Sequence, residues 1–156
     1  MATEEKEVRS VLNDLIETCK DGEQGFRTAA ERAKESSLKS LFARYAAQRA
    51  EYAQELQVLV TQLGGDPATS GHIAGTLHRG WLNLKEALSK NEDKAIIDEC
   101  EAGEDAAVKN YREARAKVLP ANVATVVQRQ ALGVEEAHKT LSDLKHGRAA
   151  TSGSRL

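Results

Sequence analysis

Apolar residues in this chain recur at three- and four-residue steps over long stretches, and Gly, Pro and Ser clusters interrupt them at few places. That period is the signature of amphipathic helices, and it excludes a chain built from alternating strands. The first predicted helix covers residues 4–34. Thr3 is placed as its N-cap, and Val8, Leu12, Leu15, Cys19, Phe26, Ala30 and Ala33 form its inner stripe. The Ser36-Ser37 pair ends it and caps a second helix that runs to about Leu63, with Leu38, Leu41, Tyr45, Tyr52, Leu56, Leu59 and Leu63 inward. Gly64-Gly65-Asp66-Pro67 then breaks the chain.

A crossover follows, with an amphipathic helix predicted over residues 70–89 that presents Ile73, Leu77, Trp81, Leu84 and Leu88. Helices joined by a tight turn are antiparallel. A connection covering residues 64–90 is long enough to return along the whole bundle and start the third helix beside the beginning of the second. The third helix spans 91–119, with Ile97, Cys100, Ala107, Tyr111, Ala114 and Val118 inward. The fourth begins at Pro120, buries Val123, Val127, Val134 and Leu141, and stops at Gly147. The expectation is an all-α four-helix bundle over residues 1–147 with a helix-containing crossover between its second and third long helices, and a disordered tail at 148–156.

Composition narrows the function classes. There are 22 Lys and Arg against 24 Asp and Glu, a formal charge of -2, so no net electrostatic attraction to nucleic acid is expected. No apolar run reaches membrane-spanning length, and the charged start MATEEKEVRS does not read as a secretory signal, which implies a cytoplasmic protein without a membrane partner. Cys19 and Cys100 lack C-x-x-C spacing and read as free thiols. No phosphate loop or Ser-His-Asp signature is present, so no catalytic residue is assigned.

Several polar residues fall on the inner stripes. Glu23 lies four after Cys19 and three before Phe26, and Glu104 lies four after Cys100 and three before Ala107. Glu135 and His138 are neighbours on the fourth helix, as are Arg49 and Tyr52 on the second. One acid from each of two helices, with an i, i+3 pair from each of the others, is the layout of dinuclear carboxylate sites in ferritin-like bundles. The stretches LNDLIETCKDGEQGFRTAA, RAEYAQELQ, GGDPATSGHIAGTLHRGW and CEAGEDAAVKNYREA resemble an uncharacterised bacterial family, domain of unknown function 2383, and the whole looks like a rubrerythrin-related, ferritin-like bundle. The resemblance implies the fold and no particular activity.

The chain departs from a metal-binding pattern at its second helix, where Arg49 and Tyr52 stand in place of Glu-x-x-His, while Glu51 and Gln54 fall on the outer side. Arg49 supplies fixed positive charge where a cation would bind. Three arrangements remain open. One is an interior layer of Glu23, Arg49, Tyr52, Glu104, Glu135 and His138 without metal, in a non-catalytic, stress-associated or interaction protein. In another, Arg49 reaches solvent and the glutamates sit at helix edges. The third is a metal site of iron, manganese or zinc on Glu23, Glu104, Glu135 and His138, as in an oxidase, with a cysteine and His138 as a sharper zinc variant. On the crossover, His78, Arg79 and Trp81 either seal the bundle or form a partner surface. Alanine pairs such as Ala29-Ala30 and Ala46-Ala47 permit close packing within one subunit and in a homodimer alike.

Overall fold

The computed structural model describes residues 2–67, 81 and 83–147. Four long helices, α1 (Ala2–Arg32), α2 (Ser36–Gln62), α4 (Asp93–Arg115) and α5 (Ala121–Lys145), frame the molecule, with a short α3 (Leu84–Ser89) before α4. The described residues contain no strand, and the architecture is the all-α bundle that the apolar period requires.

The termini follow from local chemistry. α1 carries Glu4 and Glu5 in its first turn and Arg32 in its last, each sign complementing the helix dipole. α2 ends in a Schellman motif: Gly64, at φ 79°, donates its N–H to Thr61 O (2.9 Å), and Gly65 donates to Val60 O (3.0 Å). The start of α2 differs from expectation. Glu35, not a serine, is the extended N-cap residue and makes no side-chain cap. The turn is held from outside instead, by Asp93 at the start of α4, whose carboxylate accepts the N–H groups of Lys34 (2.8 Å) and Glu35 (3.0 Å). α1 likewise begins at Ala2, which places Thr3 inside the helix.

Neighbouring helices are antiparallel. Arg9 of α1 donates to Leu63 O beyond α2, Asn110 of α4 to Thr18 of α1, and Arg129 of α5 to Glu55 of α2. α2 and α4 therefore run parallel and face each other diagonally, the setting that the length of the connecting sequence implied. Two apolar clusters result. One gathers Leu12, Ile16, Leu56, Tyr111 and Val127, and the other Phe26, Phe42, Trp81, Leu84 and Leu141.

The buried stripes are wider than the predicted ones, because each helix faces two neighbours: Ile16, Phe42, Ala53 and Val60 are fully buried beside the expected residues. Val118, predicted inward, is 98% exposed, since α4 ends three residues before it. Leu88 is half-buried and Leu84 buried, while His72, Ile73, Leu77, His78, Arg79 and the tail 148–156 lie outside the described residues.

Candidate functional site at the bundle centre

Arg49 projects from the middle of α2 into the interior, where it is 1% exposed. Gly22 of α1 packs against it, and a Cβ there would make ordinary van der Waals contact, 3.4 Å from Arg49 Cγ. The guanidinium meets Glu104 of α4 across the diagonal in a bidentate pair, Nη1 to Oε1 and Nη2 to Oε2, the latter at 2.5 Å. Both partners are buried, Arg49 Nε donates to Gln48 Oε1 (3.2 Å), and the Arg49 Cζ lies 5.5 Å from the centroid of the Phe26 ring. Burial works against the Arg49 cation, but the charge of Glu104 and its hydrogen bonds outweigh this and raise the arginine's pKa. The bidentate geometry gives each buried group the partner that loss of water would otherwise deny it.

A second polar chain leads outward from the same level. Cys19 Sγ lies 3.1 Å from Tyr111 Oη, which donates to Gln130 Oε1 (2.7 Å), and Gln130 Nε2 donates to Tyr52 O (3.2 Å) and to Glu55 Oε1 (2.9 Å). Glu55 closes the chain at the surface with Arg129 (2.5 Å). Burial pushes the Cys19 thiol up from 9.0 to about 11, against the lowering pull of Tyr111 and Arg49. It also raises Tyr111 and Cys100 well above their usual values, and both thiols are free and buried.

Of the six residues placed on one inner layer, the structure brings together Arg49 and Glu104. Tyr52 stands nearby, half-buried, its hydroxyl against Gly133 of α5. Glu23 turns to the edge of α1 and pairs with Arg27 (2.5 Å) and Lys20 (3.6 Å). Glu135 is 39% exposed beside Arg115, and His138 lies 3.1 Å from Glu101 and 3.5 Å from Asp105 between α4 and α5. Glu51 and Gln54 are exposed, as their angle on α2 predicted. Among the described residues no three His, Cys, Asp or Glu side chains converge where they could hold an ion. Both Glu104 oxygens face a guanidinium, and the Glu23 oxygens face Lys20 and Arg27, so this donor set does not fit a shared cation.

Two groups escaped the sequence reading although a signal existed. Gln130 lies three after Val127 and four before Val134, at the centre of the stripe, whereas Glu135 follows Val134 directly and sits off it. The helix-interior glycines were the other signal. Gly25 of α1 and Gly103 of α4 face the two sides of the Trp81 indole so closely that a Cβ at either position would overlap it. Trp81 is 2% exposed and meets Phe26 edge-on at a centroid distance of 5.0 Å, which makes it an apolar seal of the bundle.

A family profile described as "Domain of unknown function (DUF2383)" matches residues 7–117. No curated protein matches the sequence. With most of the chain matched, the protein belongs to this family. Arg49, Trp81 and Glu104 lie within the matched span, and Gln130, Glu135 and His138 beyond it.

Proposed function

We propose that this member of the family works without a catalytic metal, as a structural or interaction bundle of ferritin-like, rubrerythrin-related ancestry whose centre is locked by an ion pair. One observation carries the reading: both carboxylate oxygens of Glu104 engage the guanidinium of Arg49. A guanidinium has no lone pair to offer a metal and does not lose its proton, so it neutralises a buried acid permanently where a cation would do so reversibly. The remaining reactive core groups argue the same way. Cys19 and Tyr111 sit in the dry interior with their protons held on, which suits packing rather than nucleophilic or acid–base chemistry.

Elemental analysis of the full chain purified without chelator tests this. The expected result is iron, manganese and zinc all far below one per chain. Stoichiometric metal that is lost in Glu104→Gln would overturn the proposal in favour of a metal-binding protein. Arg49→Glu sharpens the test: it should destabilise the metal-free protein and create affinity for a divalent cation, read as a rise in melting temperature on adding Mn²⁺. Unchanged stability in that variant would place the arginine outside the locking role.

A further inference from the structure

The outward face of α2 differs from what an isolated bundle presents to water. At about 100° per residue, Ser36, Ser40, Ala43, Ala47, Gln54 and Val58 share one line along the helix, and the line carries no charge over its whole length. Four of the six, Ser36, Ser40, Ala43 and Ala47, are small and exposed, and Val58, 53% exposed, is one of the large apolar side chains left open to solvent. Beside the line, an open groove of about 540 Å³ runs between α1 and α2, floored by alanines and rimmed by Arg27, Glu31 and Lys39.

The charges flanking the line indicate what covers it. Arg44 and Glu51 are both exposed, lie on the same side of it, and stand three residues before and four after Ala47. Rotating the molecule by 180° about an axis through Ala47, perpendicular to α2 and lying in the plane of contact, sets α2 antiparallel to a copy of itself. That operation leaves the flank on its own side and brings Arg44 beside Glu51 of the copy, twice over. It also lays Ser40 opposite Gln54 and Ser36 opposite Val58, while the alanines let the two backbones approach closely at the axis. A different partner would need a complementary surface of its own, whereas this face complements itself.

We infer that the α2 face is a two-fold interface and that its occupant is a second copy of this chain. The inference deepens the proposed interaction role by naming the partner, and the two can fail separately, because metal content tests the centre and assembly tests the face.

Sedimentation equilibrium on the full chain at micromolar to hundred-micromolar concentrations should find a dimer. Ala47→Arg places two like charges on the axis at an exposed position and should give a folded monomer, with helix content by circular dichroism unchanged. Arg44→Glu should raise the dimer dissociation constant about tenfold or more, and Arg44→Glu combined with Glu51→Arg should restore it. In Ala47→Cys, oxidation should link two chains, since Cys19 and Cys100 are buried. A monomeric wild-type protein would overturn the inference, and so would a dimer indifferent to both Ala47→Arg and the charge reversal.

Discussion

The Arg49–Glu104 pair concentrates the risk of this fold in two side chains. Each is stabilised almost wholly by the other, so losing one leaves an uncompensated charge in a dry interior. Arg49→Met or Glu104→Leu alone should each cost about 3–5 kcal/mol in urea unfolding, and the double variant should recover most of it. A double variant as unstable as the worse single one would mean that the pair contributes more than mutual neutralisation. Cys19 gives a pH signature. Its thiol titrates near 9.0 when exposed and near 11 when folded, so the native state holds a proton that the unfolded chain releases. The stability it contributes is intact below pH 9 and is lost as pH rises toward 11. Urea midpoints from pH 8 to 11 should therefore fall, and Cys19→Ala should shallow the fall; the buried hydroxyl of Tyr111 adds to it in the same direction.

At the scale of the element, helix propensity and packing oppose each other, and packing wins. Glycine within a helix costs about 1 kcal/mol relative to alanine, yet α1 and α4 both place one where Trp81 enters. Gly103→Ala should thus lower the melting temperature of the wild-type protein, despite its better propensity, and should be neutral or stabilising in a Trp81→Val background. Trp81→Val alone should cost about 3–5 kcal/mol, the range for truncating a large buried side chain. If Gly103→Ala were stabilising in both backgrounds, the glycine would owe nothing to the indole. The cycle separates steric accommodation from intrinsic preference, which single variants do not.

Across the whole molecule, the polar layer lies between two apolar clusters, and Arg49 and Glu104 bridge the two helices that share no side of the bundle. Trp81, the single tryptophan, reports on one cluster, and far-UV circular dichroism reports on all the helices. Their thermal transitions should coincide, because Phe26, Arg49 and Glu104 tie the clusters together. An indole transition preceding the loss of helix would mean that the ends of the bundle melt independently. No helix among the described residues is long and apolar enough to cross a membrane.

The number of long helices, their approximate limits and the parallel setting of α2 and α4 followed from the chain alone, because apolar period, breakers and connector length act locally and leave few ways to bury the stripes. Arg49 and Glu104 were legible as inward residues by angle. Which polar groups meet was decided only by the tertiary structure. Glu23 and Glu135 lie toward the helix edges and pair there with surface cations, while Gln130, a side chain of the same length but central on its stripe, is enclosed. Angle about one helix sets the direction in which a side chain leaves. Whether it ends in a partner or in water depends on how closely the neighbouring helix approaches, and that distance is written in the glycines and the indole of other segments.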